Sequence, residues 1–266
     1  LIIFSTLIDY FVTNMMDRYE SKKQRKPYLY LSIFGNLGLL FTFKYFDFFS
    51  QSLQRIFSIF SLPLSSPTLD LILPVGISFY TFQTLSHTID VYNGKTKAEK
   101  HLGKFALFVS FFPQLVAGPI ERSKNLIPQL NNEKSFNYNQ VESGFQLFLY
   151  GLAKKMIIAD NIGIIVNATF ENFYEGSGLA FLICSFLFGF QIYCDFSGYS
   201  DIAIGTSRMM GINLKRNFNR PYFSKSITEF WTRWHISLSS WFRDYVFFPL
   251  MKNKISYSRI YYVTII

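Results

Sequence analysis

The stretch Ile227-Thr-Glu-Phe-Trp-Thr-Arg-Trp-His-Ile-Ser-Leu-Ser-Ser-Trp-Phe-Arg-Asp-Tyr245 holds the densest set of groups able to do chemistry. It contains all three Trp and one of the three His of the chain. Placed on one α-helix of about 3.6 residues per turn, it sorts into two faces. Trp231, Trp234, His235, Leu238, Trp241, Phe242 and Tyr245 share one; Arg233, Ser237, Ser240, Arg243 and Asp244 share the other. Glu229 and Arg233 fall at the favourable i,i+4 spacing. On the aromatic face His235 is out of water, and burial disfavours the imidazolium. A neutral imidazole accepts a proton, which is what a general base must do. The bland alternative is an aromatic-packed histidine with one backbone hydrogen bond, and the residues alone weigh the two equally. His101 lies in a basic segment and His87 lacks such a pocket, so both are weaker candidates.

Two further segments place polar groups inside apolar runs. Residues 69–92 hold Gln83, Ser86, His87 and Asp90; residues 178–204 hold Gln191, Asp195, Ser197 and Asp201. An ionisable group at membrane depth costs at least about 2.5–3.5 kcal/mol, so such groups line cavities or carry function. Taken singly, each reads as an interhelical hydrogen bond. Taken together, two loaded helices imply a polar interior, a water-filled funnel or a substrate path. Gln83, Asp195, Asp201, Arg233, Trp234, Arg243 and Asp244 are its candidate lining or supporting residues. Asp201 and Arg208 share a helix face, but two turns is long for a direct pair. There is no Gly-rich phosphate loop, no G-x-S-x-G elbow and no Cys/His metal spacing. No metal and no bound cofactor are expected.

The elements that must carry these groups are membrane helices. Half of the 266 residues are hydrophobic, 20% are aromatic and 16% are charged, against roughly 25% charged in a soluble domain. The net charge of +9 is spread over short clusters: Lys22 to Lys26, Lys95 to Lys104 and Arg208 to Lys225. That is the pattern of cytoplasmic loops near anionic lipid, not of a nucleic-acid surface. A span needs about 20 mostly apolar residues. Residues 1–16, 28–49, 69–92, 144–170 and 178–204 qualify, and 260–266 begins another. Segment 53–64 is short and expected to lie on the outer surface. Segment 102–120, broken by Pro113 and Pro119, is expected to be re-entrant, and 227–250 to lie at the cytoplasmic boundary. This arrangement puts every basic cluster on the cytoplasmic side. Residues 121–140 read as an ordinary polar connection. Cys184 and Cys194 would sit about 15 Å apart on one helix, too far for a disulfide, which needs Cα atoms within about 7 Å. The chain starts and stops inside apolar runs, so a piece of a longer protein is expected, a single transmembrane domain over 1–266 truncated at both ends.

Four blocks resemble the membrane-bound O-acyltransferase family. They are Leu73-Pro-Val-Gly-Ile-Ser-Phe-Tyr-Thr-Phe-Gln83 with Ile89-Asp-Val-Tyr92, Phe111-Phe-Pro-Gln-Leu-Val-Ala-Gly-Pro-Ile-Glu-Arg122, Tyr193-Cys-Asp-Phe-Ser-Gly-Tyr-Ser-Asp201 and Phe230 to Tyr245. Among its branches the chain is similar to the alginate O-acetyltransferase-like one, related to the D-alanyl transfer protein of teichoic acids. The resemblance covers nearly the whole chain. It implies an all-α polytopic bundle with re-entrant or interfacial helices and a central funnel. It also implies transfer of an acyl group, acetyl in this branch, from a cytoplasmic thioester such as acetyl-CoA or an acyl carrier protein to hydroxyls of an extracytoplasmic polysaccharide. The expected partners are the lipid bilayer and an extracytoplasmic polysaccharide-acetylation protein; the expected location is the bacterial cytoplasmic (inner) membrane. His235 matches one of two family histidines; the other lies in a later apolar helix, after this chain stops, so the fragment alone is expected to be inactive. The alternatives are a non-catalytic scaffold of an exopolysaccharide machine and a transporter component; a transporter would be expected to show repeat halves, which are not seen.

Overall fold

The computed structural model describes residues 1–61, 67–116, 118–172 and 177–251, and every regular element among them is helical. The expected span 260–266 and the end of 53–64 lie outside the described residues, as does residue 117 of the 111–122 block. The chain divides into two compact units, Leu1–Phe111 with Arg122–Ile127, and Phe112–Glu121 with Pro128 onward.

In the first unit α1 (Ile2–Met16), α2 (Lys22–Leu40) and α4 (Ile77–Tyr92) pack on one another. The Ser21 hydroxyl accepts the Lys23 N–H and starts α2. Lys22 to Lys26 therefore lie in the first turns of the helix rather than in a loop before it. Residues 41–59 contain no Pro or Gly, so nothing stops the helix. It passes through a π turn (Phe41–Tyr45) into α3 (Phe46–Ile59), and 53–59 continue this run instead of forming a separate surface segment. The span expected over 69–92 is shorter than the sequence suggested. Pro74 and the left-handed Gly76 (φ +73°) delay its start to Ile77. Its 16 residues reach about 24 Å, short of the roughly 30 Å hydrocarbon layer. The short α5 (Leu102–Val109) ends before Pro113.

The second unit begins with α6 (Phe112–Leu115). Residues 121–140 are not a plain polar connection: they include α7 (Ser123–Asn131), and Glu121, Arg122 and Ser123 are all buried. In the second unit α8 (Tyr138–Leu152) runs through a π segment (Ala153–Ala159) into α9 (Asp160–Glu171). Beside it α10 (Gly178–Met209) extends for 32 residues, about 48 Å. Glycines bring α8 and α10 into backbone contact: a Cβ on Gly151 would sit 2.6 Å from the Gly198 carbonyl, and one on Gly205 2.6 Å from that of Gly144. Small residues of this kind let membrane helices approach closely. Cys184 and Cys194 are both buried and unpaired on α10.

Among the described residues two helical runs, Lys22–Ile59 and Gly178–Met209, are long and apolar enough to cross a membrane, with mean hydropathies of 1.2 and 1.8. Only 17% and 11% of those windows are buried. A core helix of a soluble protein hides its apolar face. Here Leu179, Leu182, Ile183 and Phe186 of α10 point outward, as lipid-facing side chains do.

Candidate functional site around His235

The stretch 227–245 is not one helix. α11 (Ile227–Arg233) stops at Trp234, which is extended, and His235 takes a left-handed backbone (φ 42°, ψ 53°) before α12 (Ile236–Phe242) begins. A π turn (Arg243–Phe247) and α13 (Phe248–Met251) follow. No Pro or Gly lies at the break. Its cause is Asn217, which is 99% buried. The Ile236 N–H donates to the Asn217 carbonyl at 2.8 Å, and the Ser237 N–H to its Oδ1 at 3.4 Å. The Asn217 amide in turn donates to Ser200 Oγ on α10 at 3.1 Å. The two faces drawn on a continuous helix therefore do not exist as such. Ser237, assigned to the polar face, is buried, and its hydroxyl accepts the Ile120 N–H at 3.0 Å.

The aromatic surroundings expected for His235 are present. Its ring meets Phe196 edge-on at 4.6 Å and lies 6.4 Å from Phe218. Its carbonyl caps α12 by accepting the Leu238 and Ser239 N–H groups, both at 3.0 Å. Nδ1 is buried without a hydrogen-bond partner, so the bland reading of a satisfied structural histidine loses its expected bond. His235 lies at the α11–α12 junction, outside the spanning helices. Burial lowers its pKa from the ordinary 6.5 to about 4, so the ring is neutral at pH 7. A left-handed non-glycine and an unspent buried polar atom at one residue are features that cluster at working sites.

The neighbouring candidates take distinct roles. Trp234 is packed by Phe218 at 5.0 Å and Phe230 at 5.5 Å. Arg233 pairs with Glu229 at 2.5 Å, as its spacing suggests, and Glu229 also accepts the Lys225 N–H at 2.7 Å. Arg243 and Asp244 approach each other at 3.3 Å. Arg243 lines an apolar groove of about 730 Å³ with Trp231, Ile236, Phe242 and Phe247. Asp201 pairs with Lys154 at 2.6 Å, not with Arg208. Asp195 pairs with Lys155 at 2.7 Å. Gln83, in the first unit, donates to the Phe108 carbonyl at 2.6 Å, a tie between α4 and α5.

Sequence reading missed three features. Lys154 and Lys155 sit in the π segment and hold the two α10 carboxylates. In the first unit Asp9 is fully buried; its carboxylate accepts from Ser32, Asn36 and Thr88, and Ser5 donates to Asn36 at 2.5 Å. The signal was an Asp, an Asn and two Ser in two apolar runs. His87 also has a pocket, which its neighbours in sequence do not announce. It is 99% buried beside Phe105 at 5.1 Å, with Nδ1 2.8 Å from Ser123 Oγ and Nε2 unpartnered. Among the described residues no group of His, Cys, Asp and Glu could hold a metal ion.

The long helical runs with outward-facing apolar side chains have the character of membrane spans, and His235 sits among aromatics with Nδ1 unspent. The profile of the membrane-bound O-acyltransferase family matches residues 99–265. The chain belongs to that family. It is 43% identical over 232 residues to a probable alginate O-acetylase of Pseudomonas putida, covering 87% of this chain and 47% of that protein. It is 34% identical over 287 residues to a peptidoglycan O-acetyltransferase of Helicobacter pylori, covering 98% and 54%. It is 33% identical over 207 residues to a teichoic acid D-alanyltransferase of Streptococcus thermophilus, covering 74% and 50%. The chain thus spans about half the length of the curated relatives it matches.

Proposed function

We propose that the chain is part of a membrane-bound O-acyltransferase that moves an acetyl group from a cytoplasmic thioester to hydroxyls of an extracytoplasmic polysaccharide. The observation that carries this reading is the buried, unpartnered Nδ1 of His235 inside the family-matched segment. A neutral imidazole in an aromatic wall is ready to take a proton at pH 7. In the reaction the acceptor hydroxyl loses its proton to a histidine as its oxygen attacks the thioester carbonyl. The C–S bond breaks, and the thiolate leaves and takes up a proton. Base catalysis of this kind is worth roughly 10²–10⁴ in rate. Excluding water protects the thioester from hydrolysis. His235 assists at the hydroxyl together with the family's later histidine.

Residues 1–266 form one transmembrane domain in this reading; in its second unit Asp195, Asp201, Arg233, Trp234, Arg243 and Asp244 line or support the substrate path, and in its first unit Gln83 supports by tying α4 to α5. The basic clusters at Lys95–Lys104 and Arg208–Lys225 face the cytoplasm, where acetyl-CoA or an acidic acyl carrier protein arrives. An extracytoplasmic acetylation protein receives the product, and the membrane is the bacterial inner one. Cysteines placed at Lys97 and Lys215 should resist labelling from outside the cell; labelling of either reverses the orientation. In the whole protein His235→Ala should abolish or sharply reduce the acetate content of the cell's polysaccharides. Unchanged acetate at normal expression refutes the role of His235.

A further inference from the structure

A pocket of about 280 Å³ is cut between α8, α10 and residues 216–220 of the second unit. Four cations line it, Lys154, Arg208, Arg216 and Arg220, against the single carboxylate of Asp201. Lys154 and Asp201 neutralise each other at 2.6 Å. Lys154 is also fixed 4.5 Å above the Tyr150 ring. That leaves three guanidiniums, none of which pairs with a carboxylate among the described residues. Arg220 reaches the pocket from a left-handed backbone (φ 47°), a conformation that a non-glycine residue adopts only against a steric penalty.

Ser197 is a second, independent pointer. It lines the same pocket, is 98% buried, and its Oγ has no hydrogen-bond partner. A helical serine commonly returns its hydroxyl to the carbonyl four residues earlier. Ser185 and Ser207 on the same helix do so, each at 2.8 Å. Ser197 does not, so a buried donor remains unspent at the wall of a cationic pocket.

Arg216 and Arg220 are exposed and Arg208 is half-buried; with the spare buried hydroxyl of Ser197 they suit a ligand rich in acceptors and bearing more than one negative charge. The planar fork of arginine matches phosphate oxygens. We propose that this pocket is a phosphate site, taking a phosphomonoester or diphosphate group. The group comes from a soluble phosphorylated molecule or from a phospholipid head group; both present the same chemistry. The three arginines belong to the cluster that the acyl-transfer reading puts on the cytoplasmic face; the phosphate site is tested apart from that reading, because binding is measured without turnover.

The test uses the whole purified protein in detergent, titrated with inorganic pyrophosphate by calorimetry. Arg208→Gln/Arg216→Gln should weaken binding by about ten-fold or more, the worth of a lost charge-assisted hydrogen bond. Ser197→Ala, which removes one oxygen and keeps the helix, should weaken it by a smaller factor. Lys124→Gln, exposed and outside the pocket, should leave it unchanged. A second arm measures phosphatidate enrichment around the protein in phosphatidylcholine nanodiscs. Arginine-dependent binding of pyrophosphate supports a soluble source. Arginine-dependent enrichment of phosphatidate alone supports the head group. Wild-type affinity in both the double variant and Ser197→Ala, an equal loss in Lys124→Gln, or binding of neither probe overturns the proposal.

Discussion

Asp9 and His235 are both ionisable groups held away from bulk water, one in each compact unit, and their surroundings treat them in opposite ways. Asp9 is ringed by donors: Ser32, Asn36 and Thr88 all spend a hydrogen on its carboxylate. The groups that surround it are themselves engaged, as Ser5 is with Asn36. His235 is ringed by carbon, from Phe196 and Phe218, and Nδ1 has nothing to bond. A buried polar network with every member satisfied rigidifies a fold. A buried polar atom left over is a cost the fold carries without structural return. The contrast fits Asp9 as the group that holds α1, α2 and α4 together and His235 in the role proposed for it above.

The sharpest way to break that contrast is to remove both groups and measure two quantities. His235→Ala should lower acetyl transfer by about 10²–10⁴-fold while leaving the melting temperature close to wild type. A matching drop in melting temperature would make His235 structural. The pH profile sharpens the same point. The ring is neutral, and able to take a proton, above about 4. Activity that depends on it should be full at pH 7 and be lost as pH falls through about 4; an acid limb at 6.5 would show the ring to be solvated. Asp9→Ala should do the reverse. It strands three donors, each at roughly 1–3 kcal/mol, so folded yield should collapse while activity per folded molecule persists.

Smaller effects test the framework around the two groups. Gly198→Ala places a Cβ 2.8 Å from the Gly151 carbonyl. It should cost about 1–3 kcal/mol through overpacking, read as a lower unfolding temperature in detergent. Ser5→Ala removes one hydrogen bond at the margin of the Asp9 network and should cost about 1 kcal/mol. If Ser5→Ala matches Asp9→Ala, the network does not converge on Asp9.

What the sequence made legible was local. The Glu229–Arg233 pair follows from i,i+4 spacing, and the aromatic company of His235 from the residues beside it. The break at Trp234 was not legible, because it is imposed by Asn217, 20 residues from Ser237, and no breaker residue marks it. Nor was the partner of Asp201, since Lys154 lies 47 positions away. The span over 69–92 was overextended because Leu69 to Val75 are apolar enough for a helix, and hydropathy does not register the stop at Pro74 and Gly76. His87 was undervalued for the same reason: Phe105 and Ser123 reach it only through the fold.

The glycines of α8 and α10 recur at seven-residue intervals, Gly144 with Gly151 and Gly198 with Gly205. Each helix therefore presents two notches into which the other's backbone is keyed. A slip of one residue would drive side chains such as Phe148 or Ile202 against main chain, and the next matching register is two turns away. The pair behaves as a key with two teeth that fits one register. Keyed in this way, α8 and α10 are built to move as one beam, which holds the Lys154–Asp201 pair at its spacing.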